Sequence, residues 1–247
     1  MTSSRHRRRT SPQVMRRRVT LAVVVLMTIA LLSLLFTGGG RSPSTTTTST
    51  SAPTTTSAPA PTTTTTTIDP GTLPQTSEEP PTDASALQAR LAPLWTAIQQ
   101  NSLTIGETVF FPESAYVQIK TGQIPNPQSD YQSRLIAFYA LDLPAYQQAL
   151  GGTPNRATLT GVNVNASYAT WIAPGTCENS IGYWHLPNIR LVYSINGAVS
   201  SFGVASLISW RGVWYVVHLG PNPRPSNIGT VDQPSSGAGT PGPPGGC

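Results

Sequence analysis

The chain has 247 residues, with 15 Lys+Arg against 10 Asp+Glu and a formal net charge of +5. The surplus is concentrated: seven arginines fall within the first 18 residues, whereas 84–232 holds seven basic and six acidic side chains, a net charge of +1. A near-neutral segment carries no electrostatic footprint for nucleic acid, so that class of partner is excluded. Once the low-complexity regions are set aside, the length leaves room for one domain of ordinary size.

Residues 1–18 form a basic tail (Arg5, Arg7, Arg8, Arg9, Arg16, Arg17, Arg18) before the apolar run Val19–Phe36, VTLAVVVLMTIALLSLLF. Twelve of its eighteen residues are Val, Leu, Ile or Phe, and none is charged. As a helix it would span roughly 27 Å, close to the ~30 Å hydrocarbon core of a bilayer. Arginine excess marks the cytoplasmic flank. The run therefore predicts a single-pass signal anchor in the cell membrane, with the N-terminus cytoplasmic and the C-terminal domain extracytoplasmic. A cleaved signal peptide is the alternative, but its apolar region is normally only about 7–15 residues and ends in an A-x-A-like site. Thr37-Gly38-Gly39-Gly40 is a poor site of that kind.

Residues 37–82 read as a Thr/Ser/Pro-rich disordered stalk, with threonine tracts at 45–48, 54–56 and 62–67. Such composition cannot bury a core. Residues 228–247 read as a disordered Gly/Pro-rich tail. The two cysteines, Cys177 and Cys247, would be able to pair in an exported chain, although one of them ends that tail.

Between these segments, 83–227 reads as one α+β domain. Thr82 or Asp83 caps a helix whose apolar stripe is Leu87, Leu91, Leu94, Trp95 and Ile98, with Pro93 set to kink it. Phe110-Phe111-Pro112 opens an irregular stretch that ends in a short strand, Tyr116–Lys120. Asp130 caps a second helix with Tyr131, Leu135, Phe138 and Tyr139 on one face. Asp142-Leu143-Pro144 reads as a fresh cap with proline in the first turn. Leu150-Gly151-Gly152 is the stop.

After Gly152 the apolar period changes to two. A strand is expected over 158–171. A second, over 181–195, is broken by Pro187. Asn196-Gly197 is a hairpin signal, the chain returns over 198–210, Arg211-Gly212 turns again, and 213–219 is the last strand. Helices followed by an antiparallel meander imply helices packed on a curved sheet, as in NTF2-like and cystatin-like folds.

The strings Cys177–Pro187, Ser201–Gly212 and Trp214–Gly220, with Phe110-Phe111-Pro112 and Ala115–Lys120, resemble a family of uncharacterised actinobacterial membrane-anchored extracytoplasmic proteins. That resemblance implies a compartment and a lineage. It implies no reaction.

The sequence carries no G-x-S-x-G elbow, no H-E-x-x-H and no Walker loop, so no catalytic residue is assigned. Two histidines in the domain, with Cys177, do not make a metal pattern, and no metal or cofactor is expected. The positive feature is aromatic density, with nine aromatic residues between Tyr168 and His218. Aromatics fill sheet cores, but they also floor small-molecule pockets. The candidate ligand residues are Trp184, His185, Trp214 and His218. Strand parity would set Trp214, Val216 and His218 on one face.

Two functions follow. One is a non-enzymatic module binding an envelope component or another envelope protein. The other is an NTF2-like hydrolase or isomerase with a site around His185, His218 and Glu178.

Overall fold

The computed structural model describes residues 68–245. The basic tail, the run 19–36, the stalk up to residue 67 and Cys247 lie outside the described residues. Among the described residues no helix is long and apolar enough to cross a membrane.

The helices are α1 (Ala84–Gln100), α2 (Leu103–Glu107), α3 (Glu113–Lys120), α4 (Pro127–Asp130) and α5 (Ile136–Ala149). The strands are β1 (Thr158–Asn163), β2 (Thr170–Ile172), β3 (Tyr183–Ile195), β4 (Ala198–Trp210), β5 (Val213–His218) and β6 (Ser235–Ser236). The order is α+β, with all strand pairs antiparallel in one sheet ordered β1-β3-β4-β5. In addition, β2 pairs with β3 and β6 pairs with β4.

Local signals place most of these elements. Asp83 Oδ1 accepts the Ala86 amide at 2.8 Å and caps α1, satisfying a donor that has no intrahelical partner. The expected stripe Leu87, Leu91, Leu94, Trp95 and Ile98 is buried, and Pro93 sits within the helix without ending it. Asn196 (φ 52) and Gly197 (φ 85) turn β3 into β4, and Arg211 (φ 53) and Gly212 (φ 72) turn β4 into β5. Both hairpins therefore have positive φ at two successive residues, as a type I′ turn requires.

Five local expectations differ from the structure. Asp130 does not cap a second helix: Asn126 caps α4, Asp130 is its last residue, and the helical path runs on through it. Tyr116–Lys120 is helical within α3, not a strand, with Ala115, Tyr116 and Ile119 buried. Over so few residues an alternating pattern also fits one helix face, so the period does not decide. Asp142 does not start a helix, because α5 runs through it and through Pro144. Its carboxylate instead accepts the Gly220 and Thr230 amides, each at 3.0 Å, and pairs with Arg224. The expected strand 158–171 divides into β1 and β2 at Asn165, whose side chain accepts the Ser167 amide at 3.1 Å.

Pro187 does not break β3. It pairs in register with Ser206 on β4, while β2 reaches only His185 and β1 begins only at Arg190. On the side away from β4, Pro187 thus falls where β3 has no strand neighbour, an edge position at which a sheet tolerates proline.

Both ends of the described chain are packed on the sheet. This departs from the boundaries expected for stalk and tail. Residues 68–83 form a strap fastened by three indoles: Trp210 Nε1 donates to the Pro70 carbonyl (2.9 Å), Trp184 Nε1 to Ser77 (3.0 Å) and Trp214 Nε1 to Pro81 (2.9 Å). Gln75 adds two bonds, donating to Ser209 O at 2.9 Å and accepting the Arg211 amide at 2.6 Å. At the other end, β6 extends the edge of β4, and the Gly203 amide donates to Asp232 O at 2.8 Å. The buried Arg190 guanidinium donates to Gln233 O (2.6 Å), Ser235 Oγ (2.9 Å) and Ser201 Oγ (2.9 Å). Low-complexity composition removes apolar side chains, but it leaves backbone carbonyls that buried donors can use.

Candidate functional site

Between α3, the α4–α5 junction and the sheet lies a pocket of about 720 Å³, within the usual range for small-molecule sites. Phe111, Ile119, Leu135, Ile208 and Val217 supply its apolar walls. Its polar groups come from every side: Tyr116 and Lys120 on α3, Asp130 and Arg134 at the α4–α5 junction, Tyr183 and His185 on β3, Ser206 on β4, and His218 at the end of β5. Glu178, Cys177 and Gly245 also line it.

The helical side is set by a π-helical turn, Tyr131–Leu135, that joins α4 to α5. Such turns insert an extra residue and re-aim side chains, commonly at functional sites. Here the turn carries Arg134, whose Nε and Nη2 donate to Asp130 at 2.8 and 2.6 Å. Tyr116 donates its hydroxyl proton to Asp130 and accepts from Arg134 Nη2 at 2.9 Å. The Arg134 hydrogen bonds hold the Asp130 carboxyl below the usual carboxylate range. The Tyr116 phenol is pushed up by burial and then by its bond to Asp130.

The sheet side holds the two histidines. His185 is buried, and its Nε2 shares a 2.8 Å hydrogen bond with Ser206 Oγ, while Nδ1 makes no hydrogen bond of acceptable geometry. Burial pushes its pKa down to about 4, partly offset by the nearby Gly245 backbone. His218 is also held down to about 4, by burial first and then by the positive charge of Arg134, Arg224 and Lys120, with His185 opposing a second imidazolium beside it. Both imidazoles are therefore neutral at pH 7. The ion pairs among the described residues are Arg134–Asp130 and Arg224–Asp142, so neither imidazole is matched to a carboxylate.

Of the four candidate ligand residues, the structure brings His185 and His218 into the pocket and places both tryptophans elsewhere. Trp214 is core, 2% exposed. Trp184 is half-buried, its ring 5.8 Å from that of Trp171 in an edge-to-face pair. Each anchors the strap through its indole N–H. Parity over β5 also fails at its end. Ser206 pairs with His218 and Leu207 with Val216, which leaves Val217 as an inserted residue. A bulge of this kind re-aims the side chains after it, and Val217 and His218 both line the pocket. Glu178 lines it as well, from an exposed position.

Sequence reasoning missed Tyr116, Lys120, Asp130 and Arg134. The available signal was the Asp130/Arg134 spacing of four on one helix face, together with the fact that Lys120 is the chain's only lysine. Cys177 is disulfide-bonded. Among the described residues no group of three His, Cys, Asp or Glu side chains is placed to hold a metal ion. The chain matches no family model, no curated protein and no solved structure, so neither the family resemblance nor the NTF2-like comparison gains a relative to rest on.

Proposed function

We propose that this chain is a single-pass membrane protein that presents an extracytoplasmic binding module. Its ligand is a small amphipathic component of the envelope, taken into the pocket under α3 and the α4–α5 junction. The fold is then a helix-backed curved sheet of NTF2-like or cystatin-like type, held off the membrane by the stalk. The carrying observation is the pocket itself, with apolar walls, polar groups on every side and one buried atom among them, His185 Nδ1, that makes no hydrogen bond. Water and ligand are the natural partners for such groups.

The enzymatic alternative draws on a specific observation, that His185, His218 and Glu178 line the same pocket. Chemistry weighs against it. A general base works best with a pKa near the working pH, whereas both imidazoles sit near 4 and neither contacts a carboxylate.

The test is native mass spectrometry of the full chain, released from membranes of its host in a mild detergent. A bound small molecule that is lost from an Ile208→Trp variant supports the reading. Recovery of the protein without any such adduct, at unchanged mass in both forms, counts against it. The membrane part is tested separately with a reporter active only outside the cytoplasm, fused after Cys247. Silence there, with activity at the N-terminus, would reverse the orientation.

A further inference from the structure

We infer that the pocket's ligand is an organic anion, an apolar body with one carboxylate head, and that Lys120 is the counter-ion that receives the head. This rests on the binding reading above and names its ligand class.

Charge matching carries the inference. Two of the three cations near the pocket are already paired: Arg134 with Asp130, and Arg224 with Asp142. Lys120 has no such pair. Its ammonium makes one long hydrogen bond, 3.3 Å to the Cys177 carbonyl, and stands 6.0 Å from the Tyr116 ring centroid. It is half-buried, and that burial pulls its pKa below the usual lysine range. Glu178 and Asp130 raise it only through space, the first from an exposed position and the second while bonded to Arg134, whose own charge lowers it. A partly desolvated ammonium without an anion costs free energy that an incoming anion recovers.

The neutral groups beside it favour the same ligand. The Tyr183 hydroxyl accepts from Asn179 Nδ2 at 2.9 Å, which leaves its own proton to donate. His185 Nδ1 makes no hydrogen bond, while Nε2 is held by Ser206 Oγ. The Lys120 ammonium and the Tyr183 phenol, both lining one cavity, are groups that offer protons to it. A cationic head would find Asp130 occupied on both oxygens and Glu178 only at an exposed, solvated position. The walls of Ile119, Leu135 and Phe111 suit an apolar body.

The chain's single lysine makes the test direct. The full chain in non-ionic detergent is treated with an acetylating N-hydroxysuccinimide ester, and the rate at Lys120 is followed by peptide mass spectrometry. Decanoate, decanol and decylamine are titrated, and affinity is measured in parallel by calorimetry. Decanoate is expected to slow acetylation of Lys120 at least tenfold at saturation and to bind at least tenfold more tightly than the alcohol or the amine. Lys120→Met is expected to lose that preference while still binding decanol, and Lys120→Arg to keep it. Equal affinity for acid and alcohol, or an unchanged preference in a folded Lys120→Met, overturns the anion assignment and leaves the binding reading standing. If none of the three binds and Lys120 reacts at one rate throughout, both readings fall.

Discussion

The N-terminal strap stands or falls on one close approach. Gly71 is buried against the start of α3, and a methyl group there would lie 2.1 Å from Ser114 Oγ, 2.7 Å from the Ala115 amide nitrogen and 2.9 Å from Pro112 Cβ. The serine hydroxyl can rotate away, but the backbone nitrogen belongs to α3 and cannot. Gly71→Ala therefore forces the strap off the helix or shifts α3. Either movement strains the Trp210 bond to Pro70 O, one residue away, and the Gln118 bond to Gly71 O. Overpacking of this kind typically costs about 1–3 kcal/mol. For a domain of this size each kcal/mol lowers Tm by about 2–4 °C, so a fall of roughly 2–12 °C is expected. Differential scanning fluorimetry on tryptophan emission of the full chain reads both effects, because the strap covers three indoles. Gly152→Ala is the control, since nothing lies within 4 Å of its added carbon. A Gly71→Ala protein that melts with the wild type and shows the same emission maximum would refute the strap.

Three further predictions follow from buried groups. The His185 pKa lies near 4 when folded against 6.5 when unfolded, so its contribution to stability is present above about pH 6.5 and is lost as pH falls toward 4. At about 1.4 kcal/mol per pH unit this reaches about 3 kcal/mol, and an NMR titration showing either imidazole with a midpoint near 6.5 would contradict it. Asp142→Ala leaves the Arg224 guanidinium, 8% exposed, without its carboxylate. This should cost about 3–5 kcal/mol, measured by urea denaturation, whereas a loss below about 1 kcal/mol would show that the pair is solvated. Non-reducing peptide mapping is expected to recover Cys177 joined to Cys247, the chain's other cysteine; a reduced Cys177 in the exported protein would oppose this.

What could be read from the sequence was set by interactions a few residues apart. The Asp83 cap, the α1 stripe and the two positive-φ hairpin turns depend on backbone conformation within one turn, so their residues announce them. His185 and His218 were also legible as pocket residues, because two histidines among strand aromatics are polar handles on an apolar surface. The tryptophans were misleading for a physical reason. An indole presents the same apolar face to a ligand and to a core, and only its N–H partner distinguishes them. Those partners, Pro70, Ser77 and Pro81, lie 107–140 residues away in sequence. The same holds for Asp142, which carries a cap signature yet gives its oxygens to Gly220, Thr230 and Arg224. Only the tertiary structure decided where the domain begins and ends. A Pro/Thr/Ser/Gly segment has too little apolar surface to fold by itself, but it is held when a finished sheet offers donors such as three indoles and Arg190 to its carbonyls.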